Sequence, residues 1–131
     1  MYILDTHVLL NAVLEPHKLS ITHRKIIDEA GLFYFSNISF WEISLKFSYG
    51  NLSLHKHNPE FFLGLCLRVG FNLIEISTEE IASYYKLPLV DNHKDPFDRM
   101  LIWQCIQSEK ILLSGDRKFE QYKNFGLQVI S

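Results

Sequence analysis

The sequence has little of what small secreted, zinc-binding or membrane proteins depend on. Cys66 and Cys105 are its 2 cysteines, and no CxxC or Cys/His cluster occurs in the 131 residues. Neither a disulfide framework nor a zinc site is therefore indicated, and both cysteines are expected to be reduced core thiols. No apolar run approaches the roughly 20 residues of a membrane span. The MYILD start lacks the basic and apolar segments of a signal peptide. These absences predict a soluble cytoplasmic protein with no membrane association.

The chain also lacks a basic excess. Its 13 Lys and Arg residues against 15 Asp and Glu residues give a formal net charge of -2. This charge weakly disfavours a protein that coats nucleic acid non-specifically. It does not exclude a nuclease, because a cation in an acidic site restores positive potential where phosphate must bind. The length and the hydrophobic fraction of 47% predict one domain, residues 1–131, with a real core.

Short apolar runs alternate with segments of helical period along the chain. The predicted strands are 2–4, 32–35, 72–76, 111–113 and 127–130. The predicted helices are 6–14, 20–30, 39–47, 59–69, 78–86 and 96–108. Strands of this kind indicate an α/β fold with a mostly parallel five-stranded sheet covered on both faces. Ligands bind at the carboxyl ends of the strands in such sheets.

Four acidic residues lie where this sheet would bring them together. Asp5 and Asp116 follow predicted strands, and Glu42 and Asp98 lie in the first turns of predicted helices. Crowded carboxylates raise one another's pKa, and a divalent cation relieves the repulsion. Oxygen donors without sulfur or paired histidines favour Mg²⁺ or Mn²⁺. A cation held in this way suits the hydrolysis of phosphodiester bonds, because it activates water and polarises a phosphoryl oxygen.

Asp5 and Glu42 also have purely structural interpretations. Asp5 is placed to cap the helix that follows it. Glu42 ends the segment SFWE at 39–42, which is a capping-box pattern, and the same pattern recurs as STEE at 77–80. The apolar neighbours of Glu42 favour a carboxylate in a confined cleft instead. Both interpretations of these two residues stay open.

Asp98 and Asp116 have structural alternatives as well. Asp95 is predicted to be the N-cap of the last helix, with Pro96 at its first position, so that Asp98 is free to bind a ligand. Asp98 also lies near the positive end of the helix dipole. Asp116 follows Gly115, which permits a tight turn, and aspartate is common in turns.

Histidine and basic side chains lie near the same positions. His7, two residues after Asp5, and His93 could each approach the acidic site, but we expect both to pack or to form structural hydrogen bonds. Four basic residues are candidates for phosphate contacts, although solvated surface charge is the default for each of them. They are Lys46, Arg99, Arg117 and Lys118. Arg99 has the further alternative of pairing with a site carboxylate.

Four motifs occur in order through nearly the whole chain. They are ILDTHVLL at 3–10, SNISFWEISLK at 36–46, LP at 87–88 with HKDPFDRMLIWQ at 93–104, and LLSGD at 112–116 followed by Phe119 and Tyr122. In this order they resemble the motifs of the VapC-like toxins of the PIN-domain superfamily, and the HxDPFDR stretch is specific. Asn11 and Cys105 depart from the family pattern, but neither belongs to the acidic set.

The resemblance implies a three-layer α/β/α sandwich of the PIN type. It implies a metal-dependent endoribonuclease that hydrolyses RNA as the toxin of a type II toxin–antitoxin pair. By motif, Asp5, Glu42, Asp98 and Asp116 would hold Mg²⁺ or Mn²⁺, and the Ser114 hydroxyl would hold either Asp116 or a metal-bound water. Asp95 matches the motif but is better interpreted as the helix cap. The resemblance further implies a homodimer and inhibition by a small cognate antitoxin.

Two other classes of function compete with a ribonuclease. A non-catalytic PIN-fold module would bind RNA or protein on the same scaffold, but the complete acidic set disfavours it. A phosphoryl-transfer switch domain also carries acidic clusters on a similar sheet. An aspartate phosphatase needs a second Asp where His7 stands, and a receiver domain needs an acidic neighbour that Asp5 lacks.

Overall fold

The computed structural model describes residues 1–29 and 31–131. The strands are β1 (Tyr2–Leu4), β2 (Phe33–Ser36), β3 (Asn72–Ile74), β4 (Ile111–Leu113) and β5 (Gln128–Ile130). They form one parallel sheet in the order β3-β2-β1-β4-β5. The α-helices of the described residues are α1 (Thr6–Leu14), α2 (Ile21–Asp28), α3 (Asn37–Ser48), α4 (Pro59–Arg68), α5 (Thr78–Ser83) and α6 (Pro96–Ser108). Short 3-10 helices span Pro16–Lys18, Tyr84–Lys86 and Arg117–Phe125. The predicted helix 20–30 ends earlier, at Asp28, and Ala30 lies outside the described residues.

The strands separate two apolar cores, one on each face of the sheet. Ile3 and Leu112 pack on one face with side chains of α6 and of the 3-10 helix Arg117–Phe125. Leu4, Phe35 and Leu113 pack on the other face with side chains of α1, α3 and α4. This division follows from the alternation of side chains along a strand. The predicted parallel five-stranded α/β/α fold is therefore confirmed.

The order of the strands creates a cleft between β1 and β4. From β1 the chain crosses to β2 and β3 on one side, and it later returns to β4 and β5 on the other side. Connections that leave two adjacent strands in opposite directions open a crevice at their carboxyl ends. Leu4 is paired with Leu113, and the Asp5 amide donates to the Leu113 carbonyl oxygen at 3.0 Å. Asp5 and Ser114 therefore lie side by side at this switch-point cleft.

Some local features differ from the sequence-based expectations. The sequence pattern does not predict the 3-10 helix Arg117–Phe125. This helix is held in place by Phe119 and Tyr122, which are buried in the core, and such tertiary contacts cannot be read from the local sequence. Cys66 and Cys105 are buried and unbridged, as predicted, and burial raises the pKa of the Cys66 thiol to about 12. Among the described helices, none is long and apolar enough to cross a membrane.

Candidate functional site

Asp5 caps α1 and stands at the switch-point cleft. Its Oδ1 atom accepts a hydrogen bond from the Val8 amide at 2.8 Å, and the Ser114 hydroxyl also bonds to its carboxyl group. Burial raises the pKa of Asp5 in spite of these bonds, while the nearby imidazoles of His7 and His23 act in the opposite direction. The capping interpretation is thus correct, and the same carboxylate lies at the end of β1, where the cleft opens.

Ser114 links Asp5 to Asp116. The Ser114 hydroxyl oxygen is buried and accepts a hydrogen bond from the Asp116 amide at 3.1 Å. Because a hydroxyl has one proton, that proton is the one shared with Asp5. Asp116 in turn accepts from the Lys118 amide at 2.9 Å and caps the 3-10 helix. Gly115 does not adopt a left-handed conformation, and a Cβ at this position would face open space.

Glu42 is held by α1 as well as by its own helix. The N-cap of α3 is Ser36, so the capping-box interpretation of Ser39 and Glu42 is wrong. Glu42 is 5% exposed, and its Oε1 atom lies 2.8 Å from Thr6 Oγ1. Thr6 Oγ1 also lies 2.9 Å from Ser39 Oγ. A carboxylate only accepts, so Thr6 donates to Glu42 and Ser39 donates to Thr6. Glu42 is thereby tied to the residue that follows Asp5.

Lys46 pairs with Glu42 from one turn further along α3. Its Nζ atom lies 2.7 Å from Glu42 Oε2, and this hydrogen bond raises the pKa of Lys46. The nearby carboxylates of Asp95 and Asp98 act in the same direction. Lys46 is therefore an internal counter-ion of the acidic region. Its contact with a phosphate remains a prediction.

Asp98 projects from the first turn of α6, which Asp95 caps. The Asp95 carboxylate accepts from the amides of Phe97 and Asp98, which confirms the predicted N-cap. Asp98 Oδ2 lies 3.1 Å from His93 Nε2. Burial raises the pKa of Asp98 to about 6; the bond to His93 opposes this shift, whereas the charges of Asp95 and Glu42 add to it. The charge of Glu42 therefore acts directly on the protonation of Asp98.

The structure corrects the expectation for Arg99. Its side chain is 6% exposed, and its guanidinium donates to the carbonyl oxygens of Leu87 and Pro88 and to the hydroxyl oxygens of Tyr84 and Tyr122. The guanidinium also lies over both tyrosine rings. With these partners Arg99 turns into the protein, and it neither reaches a surface phosphate nor pairs with a site carboxylate.

A further cleft is lined by Val8 of α1 and by Gly115, which directly precedes Asp116. Its volume is roughly 400 Å³, and its lining includes His7, Lys18 and Arg117. His7 is exposed in this cleft, so the expectation that it packs structurally is wrong. His93, by contrast, makes the structural hydrogen bonds that were expected. The roles of Arg117 and Lys118 as phosphate contacts remain predictions.

The structure arranges the four acidic residues as two linked pairs. Asp5 and Asp116 share Ser114, and Glu42 and Asp98 influence each other electrostatically. Within residues 1–29 and 31–131, however, no three Asp, Glu, His or Cys side chains form a ready-made metal cluster. Hydrogen bonds to other groups of the protein hold each carboxylate in its present orientation.

The chemistry of the donor set nevertheless fits a hard divalent cation. All four acidic groups offer oxygen, which Mg²⁺ and Mn²⁺ prefer. The pKa values of Asp5 and Asp98 are raised by burial, so a nearby cation would stabilise their charged forms. The assignment of the four residues as metal ligands remains a prediction.

Thr6 is a contact of the site that the sequence pattern does not indicate. Thr6 follows Asp5 within the ILDTHVLL segment and bonds to Glu42. His93 opens the HxDPFDR motif and bonds to both Asp98 and Tyr122, in agreement with the structural hydrogen bonds expected of it. For Thr6, the available signal is a polar residue directly after a candidate acid within a motif.

Comparisons with known proteins agree with this fold. One similar solved structure is VapBC2 from Rickettsia felis bound to a DNA fragment from its promoter. The two chains are 18% identical, and they superpose with a TM-score of 0.71 over 98% of this chain and 96% of the other chain. A second is FitAcB from Neisseria gonorrhoeae, which is 17% identical to this chain with a TM-score of 0.67 and aligns over 100% of this chain and 97% of the other chain. A third is VapBC-1 from nontypeable Haemophilus influenzae, which is 17% identical to this chain with a TM-score of 0.64 and aligns over 99% of this chain and 96% of the other chain. No curated protein sequence matches. The family model of the PIN domain matches residues 2–124, and the chain therefore belongs to the PIN domain family.

Proposed function

We propose that this PIN domain is a metal-dependent endoribonuclease that hydrolyses RNA phosphodiester bonds as the toxin of a toxin–antitoxin pair. The observation that supports the proposal is the arrangement of four oxygen-donor acids in two linked pairs, with Glu42 bonded to Thr6 beside Asp5 and with the pKa values of Asp5 and Asp98 raised by burial. Such a set favours a hard divalent cation, and phosphodiester hydrolysis is a reaction that such cations assist. We further propose that residues 1–131 act as one PIN unit.

Asp5, Glu42, Asp98 and Asp116 are proposed to hold Mg²⁺ or Mn²⁺. When bound, the ion supplies a Lewis acid that activates water and polarises a phosphoryl oxygen. The described side chains do not form a closed cluster, so the acids must exchange some of their hydrogen bonds for the cation. Asp98 is the simplest case, because His93 engages its Oδ2 atom and leaves Oδ1 for another partner.

The other polar side chains keep these acids in place. Ser114 holds the relative position of Asp5 and the chain at Asp116, and Thr6 holds Glu42 against α1. Because these hydroxyls are buried, water does not easily replace their bonds. We propose that they preserve the spacing between the two acidic pairs while RNA binds and leaves.

Basic groups beside the cleft are proposed to bind the RNA backbone. Arg117 is exposed and lines the cleft of roughly 400 Å³ together with His7 and Lys18. Lys46 is a weaker candidate, because it must release Glu42 before it contacts a phosphate. Phosphate contacts of this kind orient a nucleic acid without reading its sequence.

The decisive experiment uses purified protein freed of any bound partner and a mixture of labelled RNAs. We expect cleavage with Mn²⁺ or Mg²⁺ and none with excess EDTA. Asp5→Asn and Asp98→Asn should lose cleavage by at least about 100-fold, because each removes a charged ligand. Asp28→Asn is the matched control, because Asp28 is an exposed acid at the end of α2. Circular dichroism must show that all three variants are folded. Undiminished cleavage by both site variants would contradict the assignment.

A non-catalytic module is the second candidate, and one observation favours it. No ready-made metal cluster is present among the described side chains. If the wild-type protein cleaves no RNA and calorimetric titration detects no Mn²⁺ binding, the chain is a binding module on the PIN scaffold. Binding of Mn²⁺ with loss of that binding in Asp98→Asn would exclude this candidate.

A protein partner is also proposed, both a second copy of the chain and a small antitoxin. An apolar groove of roughly 290 Å³ supports a protein contact, because Trp41 is 64% exposed along it and Ile81 and Met100 line it as well. Co-purification with the product of a neighbouring short reading frame tests the antitoxin. Light scattering tests the homodimer, because the single chain has a mass of 15.4 kDa. A monomer at all concentrations would contradict the homodimer.

A further inference from the structure

A line of buried polar side chains runs from Arg99 to Asp98 through two other residues. Arg99 Nη1 lies 3.0 Å from the Tyr122 hydroxyl oxygen, and that oxygen lies 2.9 Å from His93 Nδ1. His93 Nε2 lies 3.1 Å from Asp98 Oδ2. Arg99, Tyr122 and His93 are all buried. The direction of each hydrogen bond is therefore set mainly by the protein and little by solvent.

The proton on the Tyr122 hydroxyl decides these directions. A guanidinium only donates hydrogen bonds, so the Tyr122 oxygen accepts one from Arg99. The Tyr122 proton then needs its own acceptor, and His93 Nδ1 is the acceptor in reach among the described residues. Nδ1 therefore carries no proton. The neutral imidazole keeps its proton on Nε2, which donates to the Asp98 carboxylate.

We propose that Arg99, Tyr122 and His93 form a positioning relay that selects one tautomer of His93 and thereby orients the carboxylate of Asp98. Arg99 anchors the relay, because its other donors bind the carbonyl oxygens of Leu87 and Pro88. The opposite tautomer would turn the lone pair of Nε2 toward Asp98 Oδ2. Two acceptors would then face each other, and the carboxylate would rotate away.

The consequence for metal binding rests on the proposed function, whereas the tautomer does not. A donor held on Oδ2 restricts the rotation of the carboxylate and leaves Oδ1 for a cation. Hydrogen bonds that orient a ligating group in this way typically account for about 10- to 100-fold in metal affinity or activity. His93 and Tyr122 would thus be positioning residues, which act on the cation through Asp98.

The tautomer can be measured directly in metal-free protein labelled with ¹⁵N. Imidazole nitrogen shifts and their couplings to the ring protons distinguish the two nitrogens at a pH where histidine is neutral, and His93→Gln identifies the signals. His23 is an internal standard, because its Nε2 atom lies 2.8 Å from the Ile130 carbonyl oxygen, which only accepts. We expect the Nε2–H form for both residues. A proton on Nδ1 of the neutral His93 ring would overturn the relay.

Two tyrosine variants then test how Tyr122 acts on His93. Tyr122→Phe and Tyr84→Phe each remove a hydroxyl that accepts from Arg99, but Tyr122 contacts His93 and Tyr84 does not. We expect Tyr122→Phe to give mixed His93 tautomers and to raise the dissociation constant for Mn²⁺ about 10-fold. Tyr84→Phe should change neither quantity. An unchanged His23 signal shows that the fold persists. Equal behaviour of the two variants would refute the relay.

The relay and the proposed function can fail separately. A wild-type protein with the Nε2–H form of His93 that neither cleaves RNA nor binds Mn²⁺ would refute the ribonuclease and keep the relay. A protein that cleaves RNA with a proton on His93 Nδ1 would refute the relay and keep the ribonuclease. If Tyr122→Phe does not fold, the wild-type spectrum alone decides between these outcomes.

Discussion

Replacing Thr6 by valine tests how α1 and α3 are joined beside the switch-point cleft. Valine keeps the branched shape of threonine but removes the hydroxyl. In the wild type that hydroxyl lies 2.8 Å from Glu42 Oε1 and 2.9 Å from Ser39 Oγ. The variant therefore leaves a buried carboxylate oxygen without its donor and a buried serine without its acceptor.

The expected loss of stability follows from the burial of this network. A buried hydrogen bond to a charged group contributes about 1.5–3 kcal/mol. Lys46 still pairs with the other oxygen of Glu42, so we expect the lower part of that range, about 2 kcal/mol. For a chain of this length, such a loss lowers the melting temperature by roughly 5–10 °C.

Urea unfolding followed by circular dichroism measures this loss, with linear extrapolation to water. Thr6→Ser is the matched control, because it keeps the hydroxyl and removes one buried methyl group, at a cost of about 1 kcal/mol. A double-mutant cycle of Thr6→Val with Glu42→Met isolates the contact and should give a coupling of about 1–2 kcal/mol. Additivity of the two changes within about 0.5 kcal/mol would show that Thr6 does not stabilise Glu42.

Two further predictions concern Asp98 and Gln104. Burial raises the pKa of Asp98 from 3.8 to about 6, so the folded protein without metal holds a proton that the unfolded chain releases between those pH values. The protonated Asp98 therefore stabilises the folded state fully below pH 3.8, and this stabilisation is lost as the pH rises through 6, by roughly 1–2 kcal/mol because solvent screens a carboxyl group that is partly exposed. Urea unfolding at several pH values should show a steeper fall in the free energy of unfolding between about pH 4 and pH 6 for the wild type than for Asp98→Asn. An equal pH dependence of the two proteins would contradict this prediction. Gln104 is buried, and its amide has no hydrogen-bond partner among the described residues. Gln104→Met should raise stability by about 1–2 kcal/mol, because it removes an unsatisfied polar group; a lower melting temperature would show that the amide has a partner after all.

The boundaries of several elements could be predicted because the signals that set them are local. The ends of β1, β4, α1 and α6 agree with the predictions to the residue. At α6 the cap Asp95 and the following Pro96 mark the start without help from the rest of the chain. The family could be predicted for a similar reason, since its motifs stand at these strand ends and helix starts.

Identical local patterns had different outcomes where burial differed. Ser77 and Glu80 form a true capping box at the exposed start of α5. The same spacing at Ser39 and Glu42 does not, because Ser36 already caps α3 and the later residues turn inward toward Thr6. Nothing in the four-residue pattern distinguishes the two cases, since the difference lies in what packs against the helix.

The alternation of strands and helices, the PIN family and the positions of the candidate acids at strand ends and helix starts can all be read from the amino-acid sequence. The strand order that opens a cleft between β1 and β4 and the inward turn of Arg99 become visible only in the folded chain. The difference arises because the residues concerned are far apart along the chain. Thr6 and Glu42 are 36 residues apart, and His93 and Tyr122 are 29 apart. Contacts of this kind depend on how the whole chain packs, and no local pattern encodes them.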